Sequence, residues 1–268
     1  MSDAPQIDVL QHNRESWNKY VAEGNRWSTP VAVEEVTQAR NGNIRILLTP
    51  NRPVPKEWLG NLAGSKVLCL ASAGGQQAPL LAAAGAEVTS YDNSDAQLKQ
   101  DEFVAEREGL KIKTIQGDMA DLSRLGDAEF DLIVNVVSNV FVPHLKPIWE
   151  ECARVLKPGG RLIVGFMNPA YYLFDHEEAE QTGEYVVRFR APYADLTHFS
   201  AERIERMRQQ REAFEYGHSL DTQIGDQLKA GFVLCDLYED DWDEQSTPFN
   251  KFGNMFVATL SRKISLEE

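Results

Sequence analysis

Lys66-Val67-Leu68-Cys69-Leu70-Ala71-Ser72-Ala73-Gly74-Gly75-Gln76-Gln77 decides the fold. A short apolar run enters a turn of small residues, and a helical segment follows to Ala84, stopped by Gly85. A strand without polar alternation is one buried on both faces, as in a parallel sheet. Similar apolar runs recur at residues 87–91, 112–115, 130–137 and 161–166. The helices between them have legible ends. Ser94-Asp95-Ala96-Gln97 is a capping-box start and Gly109 a stop; a further helix, around residues 148–156, ends at Lys157-Pro158-Gly159-Gly160. A helix at 220–230 stops at Gly231, and strands at 232–238 and 255–261 close the chain. Strands alternating with helices imply right-handed βαβ units, hence an α/β fold with a doubly wound, mostly parallel sheet.

Two segments stand outside this rhythm. Residues 1–62 combine a polar helix candidate at 8–20 with Pro50, Pro53 and Pro55, which break regular structure. They read as an arm over a main domain of residues 63–268. Residues 168–218 are rich in aromatics and read as a cap inserted into that domain; Tyr185, Val187 and Phe189 alternate as in a half-buried strand.

Composition narrows the partners. The formal net charge is −14, whereas a nucleic-acid binder usually carries a basic stripe that neutralises phosphates. The densest basic cluster, Arg203, Arg206, Arg208 and Arg211, is interleaved with Glu202, Glu205 and Glu212, which suits a solvated helix face. No nucleic acid is expected, and a small-molecule partner is. No apolar run is long enough for a membrane span, and the first ten residues lack a signal-peptide core, so a cytoplasmic, membrane-free protein is expected. Cys69, Cys152 and Cys235 lie far apart in apolar stretches; buried reduced thiols and no metal are expected.

Open α/β sheets bind ligands beyond the carboxyl ends of their strands. Three such ends carry chemistry here. The turn Ala71, Ser72, Ala73, Gly74, Gly75 and Gln76 brings backbone close to a ligand at a helix start. Asp92, with Asn93 beside it, ends the second strand where a carboxylate accepts from two ribose hydroxyls. Gly117-Asp118-Met119 follows the third and offers an acceptor for an adenine amino group with an apolar surface for the ring.

Taken in order, Val67 to Gly75, Asp92, Gly117-Asp118-Met119, Phe130-Asp131-Leu132-Ile133 and Arg154-Val155-Leu156-Lys157-Pro158-Gly159-Gly160 resemble the ordered motifs of class I methyltransferases that use S-adenosylmethionine (SAM). Leu228-Lys229-Ala230-Gly231-Phe232 resembles that family's last helix-to-strand junction. The resemblance implies a seven-stranded sheet with a reversed final hairpin, and SAM as cofactor. It places the turn around the methionine moiety, Asp92 on the ribose, Asp118 and Met119 at the adenine, and residues 135–139, Asn135 included, toward the methyl group. The turn departs from the family pattern, with Cys69 in place of an acid and Ala71 and Ala73 in place of glycines.

Methyl transfer needs alignment and exclusion of water more than an acid–base dyad, unless the acceptor must lose a proton. Ser138 and Asn139 stand where the acceptor approaches, and Tyr172, His176 and His198 lie in the cap. His198 is the candidate base, with a surface or capping histidine as its alternative. Trp17 and Tyr20 in the arm are candidates to close over acceptor and cofactor, or simply to bury the arm. The cap aromatics suit an apolar pocket for a small organic acceptor, or a homodimer contact. A binding module without turnover and an NAD-dependent oxidoreductase are the alternative functions; the latter's fingerprint asks for a small residue where Gln76 stands.

Overall fold

A computed structural model describes residues 7–242 and 247–264. The seven strands expected in the main domain form: β1 (Lys66–Leu70), β2 (Glu87–Asp92), β3 (Ile112–Gln116), β4 (Phe130–Asn135), β5 (Leu156–Met167), β6 (Phe232–Asp240) and β7 (Phe256–Lys263). They build one sheet in the order β3-β2-β1-β4-β5-β7-β6. The first five run parallel, and β7 pairs antiparallel with both β5 and β6. The order reverses between β1 and β4, so a crevice opens above Leu70 and Asn135.

β1 alternates between two cores. Val67 and Cys69 face a layer with Val36, Ile46, Leu48, Trp58 and Leu81, whereas Leu68 and Leu70 face Trp149, Cys152 and Val155. Helices α1 (Val9–Ala22), α2 (Val33–Arg40) and α3 (Lys56–Leu59) precede the sheet; α4 (Gln77–Ala83), α5 (Asp95–Glu108) and α6 (Lys146–Val155) connect its strands. Ser94 caps α5 through Gln97 N at 3.1 Å, and Gly109 ends it in the left-handed region, as the sequence suggests.

The Pro-rich stretch crosses the sheet. A Cβ added to Gly165 in β5 would stand 2.0 Å from Leu48 O, so the arm's backbone passes directly over that glycine. The family-like segments have structural duties. Asp131 accepts from Lys66 N at 2.9 Å and Lys157 Nζ at 2.7 Å, pinning β1 against β5. Arg154 binds Glu151, Asp127 and the carbonyls of Leu122 and Leu125, clamping the loop before β4.

Four expectations need correction. Lys157 to Gly160 is a turn in the sequence reading, but it lies within β5, at a register shift between Phe130 and Leu132. Tyr185 to Phe189 forms no strand beyond one bridge, Phe174 to Val187, and Val187 is 62% exposed. The rings of Tyr185 and Phe189 join separate aromatic groups instead, around Phe249 and Tyr193. Cys235 is exposed on edge strand β6, where Val233 and Leu237 are exposed too; Cys69 and Cys152 are buried. The helix at 220–230 is a π turn, Asp221–Gly225, leading into Asp226–Lys229. On Ala201–Gln210 the basic cluster is ion-paired, Arg203 to Asp175, Arg206 to Glu177 and Arg208 to Glu205. Among the described residues no helix is long and apolar enough to cross a membrane, and no group of three or more side chains could hold a metal.

Candidate active site

The turn after β1 adopts the shape that glycines would favour, without having them at every place. Ala71 and Ala73 stand at φ 45° and 65°, in the left-handed region. Side chains of α5 hold the turn from below: Gln97 Oε1 accepts from Gly74 N at 2.9 Å, and Asp101 Oδ1 from Gly75 N at 2.7 Å. Asp101 also accepts from Ser90 Oγ at 2.6 Å. Gly74 is required by this packing, since a Cβ there would lie 2.1 Å from Gln97 O. The amides of Gly74 and Gly75 are thus engaged within the protein. Ser72 is buried beneath the turn; Ala71, Ala73 and Gln76 line the cavity.

Asp92 closes β2 and lines the same cavity. It accepts from Ser94 N at 2.8 Å, and burial pushes its carboxyl up to about 7. Asn93 lines the cavity too and donates to Leu10 O of α1 at 2.8 Å. Asp118 accepts from Ala120 N at 2.9 Å, and buried Met119 lies beside it, its sulfur 4.0 Å from Ser138 Oγ.

These residues open onto one cavity of about 300 Å³. Its roof is α1, which contributes Leu10, Asn13, Arg14 and Trp17, spaced for one helix face. Asn13 fixes that helix across the cavity. Its side chain donates to Phe141 O (2.9 Å) and Phe214 O (3.0 Å) and accepts from Phe214 N (2.8 Å). At the other end of α1, Asn18 meets Ser94 and Asp95 at the start of α5. Arg14 is the one Lys or Arg lining the cavity among the described residues. Toward the cap the walls are aromatic, with Phe141, Tyr171, Tyr172, Trp242 and Phe256, and they include Glu215.

The remaining sequence candidates lie outside this lining. Tyr20 Oη accepts from Ala213 N at 2.9 Å and so binds the arm to the cap. Asn135, fully buried, donates to Leu70 O and Ser138 Oγ. Asn139 donates to Gln223 Oε1 at 2.8 Å, behind the cavity wall. His176 stacks on Tyr171 at 3.9 Å and hydrogen-bonds Tyr171 O. His198 stacks on Tyr193 at 4.7 Å, and its Nδ1 meets Ala194 O at 2.9 Å. Both histidines are tied into the cap. The sequence reading missed Arg14, Glu215, Trp242 and residues 47–50; each sits in a segment whose local text carries no motif.

A model of a methyltransferase domain matches residues 68–164, from β1 into β5. The chain is 48% identical over 256 residues to Uncharacterized methyltransferase YbaJ of Bacillus subtilis, covering 96% of this chain and 99% of that one. This chain belongs to the class I SAM-dependent methyltransferases. Its cofactor is therefore SAM, and the oxidoreductase and non-catalytic readings give way. The methyltransferase is also 32% identical over 127 residues to a ubiquinone biosynthesis O-methyltransferase of Nitrosococcus oceani, covering 46% of this chain and 54% of that one.

Solved structures share its fold at low identity. A 1,6-didemethyltoxoflavin-N1-methyltransferase of Burkholderia thailandensis, with bound 1,6-didemethyltoxoflavin and S-adenosylhomocysteine (SAH), matches with a TM-score of 0.58 at 14% identity, over 98% of this chain and 94% of that one. The [4+2]-cyclase SpnF matches with a TM-score of 0.59 at 15% identity, over 98% and 99%. The residues of the cavity fit SAM on their own chemistry: acids at the ends of β2 and β3, an apolar floor at Met119 and one cation at Arg14.

Proposed function

We propose that this methyltransferase passes a methyl group in line from SAM to a small organic acceptor enclosed with it under α1. The observation that carries the reading is that a single cavity runs from Asp92 and Asp118 to the aromatic wall of the cap. SAM supplies a methyl group made electrophilic by its sulfonium. Asp92 accepts from the ribose hydroxyls, and Asp118 with Met119 holds the adenine. Arg14 pairs with the methionine carboxylate. Ala71, Ala73 and Gln76 shape the floor beneath the methionine moiety. Ser138 and Tyr172 border the acceptor, and Trp17 closes over it from the roof. By excluding water and fixing the approach, these residues supply most of what an in-line displacement requires.

A screen with methyl-labelled SAM against small apolar alcohols, phenols, amines and acids tests this. Label transferred to at least one small acceptor is expected. Transfer only to a macromolecule, or to none of the panel by a protein that binds SAH, would overturn the small-acceptor reading.

A further inference from the structure

Glu215 lines the acceptor end of the cavity and belongs to none of the methyltransferase-like motifs. It directly precedes the short strand Tyr216–Gly217, which pairs with Tyr193–Ala194. Its backbone is locked to one residue: Asp195 Oδ2 accepts from Glu215 N at 2.7 Å, and Asp195 N donates to Glu215 O at 3.1 Å. Three residues on, His218 Nε2 meets Asn139 O and Val142 O, which fixes the segment beside the end of β4. The side chain is held as well. Tyr172 Oη donates to Glu215 Oε2 at 2.8 Å, while Oε1 has no partner among the described residues. Glu215 is only partly buried, and Oε1 is not one of the sealed polar atoms without a partner, so it is open to the cavity that the side chain lines. Here one oxygen is anchored and the other is left for a ligand.

We propose that Glu215 is the general base of the reaction, accepting through Oε1 the proton of a hydroxyl on an aromatic or enolic acceptor. This rests on the reading of the cavity as the shared site of SAM and acceptor. In the step, an oxygen lone pair forms the new bond to the methyl carbon, the carbon–sulfur pair stays on sulfur, and the hydroxyl proton passes to Oε1. A hydroxyl keeps its lone pair while donating to Glu215. An ammonium has none until its proton has left, so a neutral hydroxyl on a flat ring suits this wall better than a cationic amine. The groups around Glu215 agree. Burial and the charge of Asp195 raise its carboxyl to about 7 against the opposing bond from Tyr172, close to where a base works best. Tyr171 and Tyr172 are themselves raised, burial first and Glu215 second, so both stay neutral beside it.

The test uses 4-nitrophenol, whose two protonation states differ in colour, and full-length protein saturated with SAH. The wild type is expected to bind the neutral phenol, because a carboxylate beside the hydroxyl opposes the phenolate. In Glu215→Gln the bound probe should ionise about one pH unit lower, within the range of roughly pH 5 to 9. Glu215→Asp, which keeps the charge on a shorter stem, should fall between the two. SAH affinity, measured on each protein by calorimetry, should be the same in all three. Identical probe spectra in wild type and Glu215→Gln, or no probe binding to the SAH-loaded wild type, would overturn the proposal. Loss of SAH binding by the wild type would instead remove the cofactor reading beneath it.

Discussion

Ala71 and Ala73 hold a glycine-like turn in a conformation that costs an L-residue roughly 1 kcal/mol. Gln97 and Asp101 offset that cost from below. An acid expected at Cys69 is absent, yet a carboxylate is present under the turn, supplied by α5 as Asp101 rather than by β1. Asp101 does not line the cavity, so its role is to shape the turn rather than to touch the cofactor. Relieving the strain tests this account. Ala73→Gly should stabilise the protein by about 0.5–1 kcal/mol, because a residue free at positive φ replaces one that is not. Urea unfolding would show it as a higher midpoint at constant slope; a lower midpoint would mean that the Ala73 methyl packs more than its backbone strains.

Helix α1 joins parts of the molecule that the sequence keeps apart. Asn13 ties it to Phe141 after β4 and to Phe214 in the cap, and Asn18 ties it to α5. Asn13→Ala would strand the amide and carbonyl of Phe214 without their partner and should cost about 2–3 kcal/mol. Limited proteolysis should then cut within α1 faster than in the wild type, and SAH should slow the cutting; equal rates would show that α1 docks without Asn13. At this scale the sequence was legible where structure is local. The strands, the caps of α5 and the acids at the ends of β2 and β3 follow from pattern and spacing. Residues whose place depends on distant contacts were not legible. Helix α2, with only Val36 and Ala39 buried, carries too faint an apolar face to be read. Glu215 reaches the cavity only because Asp195 and His218 fix its strand there, and no neighbour in sequence announces it. His176 and His198 drew attention as residue types, but ring stacking with Tyr171 and Tyr193 holds them in the cap.

Across the whole molecule, burial concentrates proton affinity at the site. Asp92, Asp101 and Glu215 are each raised to about 7, with desolvation the leading cause. Unfolded, such groups titrate near about 4, so the folded protein binds more protons between those values. The stability they contribute is complete below about pH 4 and is lost as pH rises through about 7. The net charge of −14 acts in the same direction through self-repulsion. Carboxylates lowered by basic partners, such as Glu151 beside Arg154, oppose this at more acidic pH. His176 and His218, lowered by burial, oppose it up to about pH 6.5, so the net fall is carried by the rise through about 7. The ligand-free protein should therefore melt at a higher temperature at about pH 5.5 than at about pH 8. A melting temperature that rises with pH across that interval would contradict the buried-acid account.

The proposed SAM site depends first on Asp92, whose carboxylate would hold the ribose at the end of β2. Calorimetric titration of SAH into wild type and Asp92→Ala, each in two buffers of different ionisation enthalpy, tests it most directly. Ribose hydroxyls donate to the ionised carboxylate, so binding to the wild type should release protons near neutral pH and weaken as pH falls below about 7. Asp92→Ala should lose about 2–3 kcal/mol of affinity, together with most of that proton release. Equal affinity in the two proteins, with proton release unchanged, would contradict it.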